Sequence, residues 1–432
     1  MNILMMTNTY LPLVGGLERS IESFTKEYRK RGHRVVIVVP EYEGSPKKEL
    51  DVIRVPALKH FHGSPFSLKL PIAGFFLEAL GDFKPDIIHA HHPFLMGDTA
   101  LRLAYAHKVP LIFTHHSLYE ENVGDSEAAK KFMLELATGY ANSCDHVVAP
   151  SESVAEIIRA RGVTTQITVI PTGLHLSEYK KTGKNIREQS KISKDAFVVG
   201  YVGRLSPEKN LPFLARAVAS FLKKEKNAVF LVVGSGPSEE ALVKHFKEQK
   251  LEDQLRLAGV MKGAKLIEAF QTIDVFAFSS HSETQGMVLN EAMAAGTPVV
   301  GVDAPGVRDI IRDKINGRLI PDENEEEFSE ALSWVLERTP AGRRKLIAEA
   351  KKTAKQFSMQ RCAGKALRLY QSLQTEKGFQ RKLEEKDWFP LMQRAEAEWK
   401  LLCNFTKATM GAAFGPNVDS LTPASAASAE RS

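Results

Sequence analysis

Residues 275–302 read VFAFSSHSETQGMVLNEAMAAGTPVVGV, which places a polar loop and a short helix between two apolar runs. We predict strands at 275–279 and 298–302, because continuously apolar runs are typical of strands buried on both faces of a parallel sheet. Residues 292–295 continue the helix, and Gly296 and Pro298 end it. A strand, a helix and a second strand form the repeating unit of a doubly wound α/β domain.

The same alternation extends in both directions from this unit. In the second half of the chain, further strands are predicted at 197–202, 229–233 and 255–258. In the first half, they are predicted at 3–6, 35–39, 87–89, 111–114, 146–149 and 168–170. A helix at 17–31 follows the first of these and ends at Gly32. The predicted fold class is therefore α/β, with two Rossmann-like doubly wound domains that face each other across a cleft.

Changes in composition divide the chain. Residues 1–172 form the predicted N-terminal domain, and 195–358 form the C-terminal one. Between them, the polar segment 173–194 is the predicted hinge linker. The helical pattern of 339–373 is predicted to run along both domains, with crossover and extension helices over 359–402. Residues 403–432 are rich in Ala, Ser and Pro, and we expect them to be disordered.

Composition excludes several classes of protein. The chain has 432 residues, of which 43% are hydrophobic and 25% charged, as in soluble globular proteins. Its 3 cysteines include no CxxC pair, so neither a disulfide framework nor a cysteine zinc site is indicated. It has no 18-residue apolar run and no signal-peptide pattern, so we expect a cytoplasmic protein. The net charge of +6 favours anionic partners.

Two segments have the character of anion sites. Gly15 and Gly16 open the first predicted helix, where a bare backbone and free N–H groups can approach an anion; a tight turn without a ligand is the alternative. Arg204 and Lys209 flank a proline-containing turn after the first strand of the second domain. Both cations can point to one place and offset the charge of a diphosphate. The alternative for this turn is a solvated charged loop.

The loop and helix of 280–298 carry two glutamates eight positions apart. Glu283 lies in the predicted loop, where its carboxylate can accept hydrogen bonds from sugar hydroxyls. Glu291 lies on the helix and can chelate a ribose diol. The helix start at Gly286, Met287 and Val288 lies between the two glutamates in the sequence and can hold a diphosphate.

Histidines follow two predicted strands of the first domain, at His89, His91 and His92 and again at His115 and His116. Both groups should lie at the carboxyl edge of one sheet. A metal site is one interpretation, but no acid or cysteine completes a ligand set. A polar pocket that binds sugar hydroxyls is the interpretation we favour, with some of the histidines purely structural.

These motifs resemble, in order, those of the family 4 retaining glycosyltransferases, which have the GT-B fold. The resemblance covers residues 1 to about 374, and its most specific part is the block from Glu283 through Glu291 to the Gly-Thr-Pro-Val-Val ending. It implies that Gly16 approaches the donor diphosphate, which Arg204 and Lys209 clamp. It also implies that His115 contacts the donor sugar near its reacting carbon and that Glu283 holds the sugar hydroxyls, which makes these two the predicted catalytic residues.

The resemblance further implies that Glu291 holds the ribose and that Val260 lines the base pocket. Family members typically need no metal, so no metal and no cofactor is expected beside the nucleotide-sugar substrate. We expect retention of anomeric configuration, with the acceptor hydroxyl giving its proton to a leaving-group oxygen, so that no side-chain base is required.

A narrower resemblance points to bacterial diacylglycerol glucosyltransferases. It rests on segments 10–12, 65–71, 91–97 and 114–121. His116-Ser117 departs from the His-Thr that is commoner in that subgroup. The amphipathic segment 72–80 and the mixture of cations and aromatics over 59–70 are typical of contact with an anionic membrane surface; a surface loop over a core helix is the alternative. Trp388 and Trp399 could likewise anchor to lipid or cover apolar core.

The predicted function is transfer of a hexose, with glucose favoured, from a UDP-sugar or GDP-sugar to a hydroxyl acceptor such as diacylglycerol or another glycolipid. One alternative is a GDP-mannose-dependent mannosyltransferase acting on a lipid or glycan. Another is a non-catalytic partner subunit that binds nucleotide or lipid, against which the intact Arg204, Lys209, Glu283 and Glu291 argue. A nucleic-acid partner is not expected. A dinucleotide oxidoreductase is disfavoured because Gly234-Ser235-Gly236-Pro237 lacks the third glycine of GxGxxG.

Overall fold

In a computed structural model, the described residues are 1–375 except 14, 42–43, 47–48, 56–78, 124–125, 181–185 and 282. The first domain has parallel strands in the order β3-β2-β1-β4-β5-β6-β7 over that part of the chain. Its elements are β1 (Asn2–Met6), α1 (Gly16–Lys30), β2 (Arg34–Pro40), β3 (Val52–Val55), β4 (Ile87–Ala90), α2 (Met96–His107), β5 (Leu111–Thr114), α3 (Glu127–Asn142), β6 (His146–Ala149), α4 (Glu152–Ala160) and β7 (Ile167–Val169).

The second domain repeats this architecture, with parallel strands in the order β10-β9-β8-β11-β12-β13. Its elements are β8 (Phe197–Val202), α5 (Leu211–Lys224), β9 (Ala228–Val233), α6 (Glu239–Glu248), β10 (Leu255–Leu257), α7 (Ala264–Thr272), β11 (Val275–Phe278), α8 (Met287–Ala295), β12 (Val299–Val302), β13 (Gly317–Ile320), α9 (Glu325–Leu336) and α10 (Pro340–Gln356). A last helix, α11 (Met359–Thr375), returns to the first domain.

The predicted pair of doubly wound domains is confirmed, and the apolar runs are the reason. Strands β8 and β9 are buried along their whole length, as the sequence pattern requires for strands covered by helices on both faces. Strands β3 and β13 were not predicted. They lie at sheet edges, they are only partly buried and each contains an arginine. The edge strand β10 shares these features and was nevertheless predicted, so they weaken the apolar signal of a strand without always hiding it.

The predicted helical segment 339–373 is two helices rather than one. Helix α10 ends at Gln356, and α11 begins at Met359 after a two-residue break at Phe357 and Ser358. Helix α10 packs in the second domain, where Leu346, Ala350 and Ala354 join its cores. Helix α11 packs in the first, where Ala363 and Tyr370 are buried with Tyr28 of α1. The break therefore lets one helical segment serve both domains.

The chain crosses between the domains twice, and the two crossings touch. The backbone N–H of Leu174 donates to Phe357 O at 2.8 Å, and that of Met359 donates to Leu174 O at 2.9 Å. Of the predicted linker 173–194, Ile186 and Ile192 are buried in the core of the second domain. The part of that linker near Leu174 therefore lies at the crossing, while its later part packs as second domain.

None of the described helices is both long and apolar enough to cross a lipid bilayer. The predicted membrane-contact segment 59–70, segment 65–71 and most of 72–80 lie outside the described residues. So do the predicted extension that contains Trp388 and Trp399 and the predicted tail.

The crossing predicts unequal effects for two glycine substitutions. A Cβ at Gly173 would lie 2.5 Å from Met359 Cα and 2.8 Å from Met359 N, so Gly173→Ala must push the two crossings apart. A Cβ at Gly139, on the exposed side of α3, meets nothing within 4 Å. We expect Gly173→Ala to lower the free energy of unfolding by about 1–3 kcal/mol. Gly139→Ala should raise it by up to about 1 kcal/mol.

Urea unfolding of both variants beside the unchanged protein measures the difference. Equal midpoints for the two alanine variants would contradict the close contact at the crossing.

Candidate active site

A cleft between the domains lies at the carboxyl ends of the central strands of both sheets, as expected for ligand sites in open α/β sheets. Its empty space, including the part that is open to solvent, is about 1460 Å³. The first domain lines it with Gly15, Gly16, Leu17, Glu18, Arg19, His116, Ser117, Pro150 and Thr172. The second lines it with Tyr201, Val202, Gly203, Arg204, Lys209, Leu266, Phe278, Glu283, Thr284, Gln285, Gly286, Met287, Val288 and Glu291.

Most of the residues predicted from the sequence meet in this cleft. They are Gly16, Arg204, Lys209, Glu283, Gly286, Met287, Val288 and Glu291. Two predicted site residues are not among its lining residues. Val260 follows β10 and is 62% exposed, and His115 is buried in the first domain at 4% exposure.

Two helix starts face each other across the cleft. A Cβ at Gly16, the first residue of α1, would lie 4.0 Å from the sulfur of Met287, the first residue of α8. The N-cap residues are Gly15 and Gly286, so no capping side chain satisfies the first N–H groups of either helix. Gly286 has φ 69°, which favours glycine. The geometry leaves two sets of backbone donors available to an anion.

Lys209 and Glu283 are paired in the cleft. The Lys209 Nζ lies 2.6 Å from Glu283 Oε1, and the two side chains are 22% and 15% exposed. They come together because Lys209 follows β8 and Glu283 follows β11, which are adjacent strands. Arg204 is exposed at the same edge and forms no ion pair with any described residue. Of these two cations, Arg204 is therefore available to an entering anion, whereas Lys209 is already bonded.

Glu291 is a buried carboxylate held from two directions. Arg19 Nη1, on α1 of the first domain, lies 3.3 Å from Glu291 Oε1. The Tyr179 hydroxyl, from the segment between the domains, donates to the same oxygen at 3.1 Å. Burial raises the pKa of Glu291, while Arg19 and Tyr179 act in the opposite direction. The carboxylate thus depends on a cation from the other domain.

Arg19 and Tyr179 were not among the predicted residues. Arg19 lies three positions after Gly16, which places both near one face of α1, so this signal was present in the sequence. Tyr179 lies in the segment predicted as a hinge, and nothing in its surroundings marks it as a contact of Glu291. Its partner is 112 positions away in the chain.

Gln285 joins the loop before α8 to the crossing between the domains. Its side-chain Nε2 donates to Thr172 O at 2.8 Å, and its Oε1 accepts from Thr172 N at 2.7 Å. Beside it, the Ser151 hydroxyl donates to Thr284 O at 2.7 Å. These bonds fix the loop that carries Glu283 against the first domain.

His116, rather than the predicted His115, reaches the cleft. Side chains alternate along an extended strand, so Phe113 and His115 share one side of β5 and its extension, and Thr114 and His116 share the other. The His115 ring packs 5.5 Å from Phe113 and 5.3 Å from Tyr119, between ring centroids. Burial, and secondarily the charge of Arg161, lowers the pKa of His115 to about 4. The structure therefore corrects the predicted position by one residue.

His89 and His91 form a bonded cluster behind His116, whereas His92 Nδ1 accepts from Asn8 N at 3.1 Å. His91 Nδ1 lies 2.9 Å from His116 Nε2, and the His91 ring stacks 4.4 Å from that of His89. His89 bonds Thr114 Oγ1 through Nε2 and the Tyr370 hydroxyl through Nδ1, both at 2.6 Å. Burial lowers the pKa of His89 to about 3. Over the part of the chain that the structure describes, no three His, Cys, Asp or Glu side chains are grouped as metal ligands.

Comparison with known families agrees with the fold. Residues 14–178 match the family model described as Glycosyltransferase Family 4, and residues 183–353 match the one described as Glycosyl transferases group 1. The two matches meet at the segment between the domains, and together they include every strand of the two sheets except β1.

Individual relatives are similar over most of their length. The chain is 29% identical to an alpha-monoglucosyldiacylglycerol synthase of Streptococcus pneumoniae, over 74% of this chain and 75% of the relative. It is 28% identical to a GDP-mannose-dependent alpha-mannosyltransferase of Mycobacterium tuberculosis, over 74% and 83%. The fold is similar to that of Alr3699/HepE of Anabaena, solved in complex with UDP, with a TM-score of 0.70, 21% identity and coverage of 86% and 100%.

The burial of His115 predicts a change in acid sensitivity. As pH falls through 6.5, the unfolded chain protonates this histidine, whereas the folded protein does so only near pH 4. The contribution of neutral His115 to the free energy of unfolding is therefore fully present above pH 6.5. Between pH 6.5 and about 4 it decreases by about 1.4 kcal/mol per pH unit. His115→Phe keeps the aromatic contacts but cannot be protonated. Between pH 7.5 and 5 its free energy of unfolding should therefore decrease by about 2 kcal/mol less than that of the unchanged protein.

Urea unfolding at the two pH values measures this difference. Equal losses in the two proteins would contradict a neutral, buried His115.

Proposed function

The chain belongs to the family 4 glycosyltransferases, and we propose that it transfers glucose from UDP-glucose to the hydroxyl of diacylglycerol with retention of anomeric configuration. Its fold is GT-B, and its activity is hexosyl transfer from a nucleotide sugar. The observation that carries the finer proposal is the meeting of Arg204, Lys209, Glu283 and Glu291 in one cleft.

The diphosphate of the donor binds between the two helix starts in this proposal. Arg204 and Lys209 supply positive charge, and the free N–H groups of Gly286, Met287 and Val288 supply hydrogen bonds. Gly16 leaves room for the diphosphate on the side of the first domain.

The sugar and the nucleoside then extend in opposite directions from the diphosphate. Glu283 accepts hydrogen bonds from the sugar hydroxyls once Lys209 has turned to the diphosphate. Glu291, held by Arg19 and Tyr179, accepts those of the ribose. Val260 contacts the base; in support, Gly234 N donates to Gly259 O at 2.9 Å, so the residues around 260 lie at the same sheet edge as the Arg204 loop.

Transfer breaks the bond between the anomeric carbon and the diphosphate oxygen, and the acceptor oxygen bonds the carbon from the same face. The acceptor proton passes to the leaving oxygen, so no side-chain base is needed. Arg204, Lys209 and the start of α8 offset the charge that develops on the diphosphate. These groups take the place of a metal ion in the proposal, and no cofactor is invoked.

The acceptor proposal rests on the relatives. Two of them, at 29% and 26% identity, are named alpha-monoglucosyldiacylglycerol synthases. Diacylglycerol lies in a bilayer, so we include peripheral contact with an anionic membrane at its cytoplasmic face, which the net charge of +6 favours.

A second candidate has support of its own. The mycobacterial relative at 28% identity is named a GDP-mannose-dependent alpha-mannosyltransferase, and the cations and glutamates of the cleft would suit either nucleotide sugar. A third candidate, a non-catalytic subunit, is disfavoured because the four charged residues are all present in the cleft.

A donor screen tests the proposal. The purified protein is given UDP-glucose, UDP-galactose or GDP-mannose with vesicles that contain diacylglycerol, and released nucleoside diphosphate and glycolipid are measured. We expect UDP-glucose to give the highest rate and an α-linked product, and vesicles without diacylglycerol to give little release. A highest rate with GDP-mannose would replace the proposal by the second candidate. Tight UDP binding without turnover of any donor would favour the non-catalytic subunit.

Two substitutions should separate binding from turnover. Arg204→Ala removes a charge-assisted contact, so the Kd for UDP should rise about tenfold. Glu283→Gln removes a sugar contact but leaves Lys209 free for the diphosphate, so kcat should fall about 100-fold while the Kd for UDP does not rise.

Calorimetric titration with UDP and steady-state rates measure these effects. The control is Arg338→Ala, because Arg338 stacks 3.8 Å from the Trp334 ring outside the cleft. Equal loss of binding and turnover in Glu283→Gln would contradict the role given to that residue.

A further inference from the structure

His91 and His116 share one hydrogen bond between two ring nitrogens. The distance from His91 Nδ1 to His116 Nε2 is 2.9 Å, so one of these nitrogens carries the proton and the other accepts it. Both rings are neutral histidines, because burial lowers the pKa of each well below its usual range. The position of that single proton decides whether the other ring nitrogen of His116 is a hydrogen-bond donor or an acceptor.

The second nitrogen of His91 distinguishes the two arrangements. His91 Nε2 is buried and has no hydrogen-bond partner among the described residues. If His116 were the donor, His91 would have to carry its own proton on Nε2, as a buried N–H with no acceptor. If His91 is the donor, its Nε2 carries only a lone pair, which accepts no hydrogen bond from the described residues. Buried N–H groups without a partner are the rarer of the two in proteins, so the second arrangement is favoured.

We infer that His91 is a positioning residue that donates to His116 Nε2 and thereby keeps the proton of His116 on Nδ1. Since Nε2 is occupied, Nδ1 is the ring nitrogen of His116 left for a ligand in the cleft. His116 then offers a hydrogen-bond donor to an oxygen of the bound substrate. It cannot accept the proton of the acceptor hydroxyl, which leaves the diphosphate oxygen as the destination of that proton.

The setting of His91 keeps this arrangement in place. Its ring lies between those of His89 and His116, at centroid distances of 4.4 and 5.2 Å. His89 is itself bonded to Thr114 on β5 and to Tyr370 on α11. The returning helix α11 therefore supports, through two histidines, a side chain that lines the cleft.

The direct test is the position of the proton. Two-bond ¹H–¹⁵N spectra of the full chain labelled with ¹⁵N-histidine distinguish a protonated Nδ1 from a protonated Nε2, and His116→Gln identifies the His116 signals. We expect His116 to be protonated on Nδ1. In His91→Leu the fixed donor is lost, and the signals should change to the Nε2–H form. In His91→Asn the amide can replace the donor, and the original pattern should return.

His146→Leu is the matched control. His146 is another buried histidine with an unpartnered ring nitrogen, but its Nε2 bonds Thr168 Oγ1 at 2.8 Å rather than His116. Its loss should lower the melting temperature without changing the His116 signals. A protonated Nε2 in the unchanged protein would overturn the inference without any variant. An unchanged His116 pattern in folded His91→Leu would do the same.

The catalytic consequence rests on the proposed function and is measured separately. His91→Leu should lower kcat about tenfold with the Kd for UDP unchanged, and His91→Asn should recover kcat to within about threefold of the unchanged protein. If no nucleotide sugar is consumed but the spectra are as expected, the proposed function fails and the positioning role stands. If transfer occurs and His91→Leu leaves kcat unchanged, the positioning role fails and the function stands.

Discussion

Glu291 is a carboxylate buried at the junction of the domains, and its compensating charge comes from the domain to which it does not belong. A buried carboxylate without a partner is costly or becomes neutral, and burial does raise the pKa of this group. Arg19 on α1 and Tyr179 between the domains oppose that effect through one carboxylate oxygen. The first domain therefore favours the ionised form of Glu291, which links the charge in one half of the cleft to the position of the other.

Other hydrogen bonds between described residues also join the two domains. Gln285 holds the backbone of Thr172 through both ends of its amide, and Ser151 bonds the carbonyl of Thr284. Polar contacts of this kind resemble those between domains that move relative to each other, unlike the apolar cores inside each domain. The crossing at Leu174, by contrast, is a close backbone contact, so it is suited to act as the fixed point of such a motion.

How much the sequence predicts depends on whether the cause is local. The central strands, the helix with Glu291 and the turn with Arg204 and Lys209 follow from apolar runs, glycines and charges within a few positions. Exposure at a sheet edge weakens the apolar pattern that identifies a strand, so β3 and β13 were missed while the equally exposed edge strands β7 and β10 were predicted. His115 was assigned through the family resemblance, and the strand end alone does not show which of the two histidines faces the cleft. Arg19 and Tyr179 matter through partners more than a hundred positions away.

The ion pairs of the free protein give the proposed donor site a condition for binding. Glu283 Oε1 is bonded to Lys209 at 2.6 Å, so the sugar hydroxyls share this carboxylate with the lysine until an anion competes for the lysine. On the proposed donor placement, the diphosphate is that anion, and the sugar attached to it is the group that then meets the released carboxylate. A free sugar lacks the charge needed to displace Lys209, and a nucleoside diphosphate without sugar leaves Glu283 unpaired. The pair therefore favours a ligand that carries both groups at once, which is the chemical description of a nucleotide sugar.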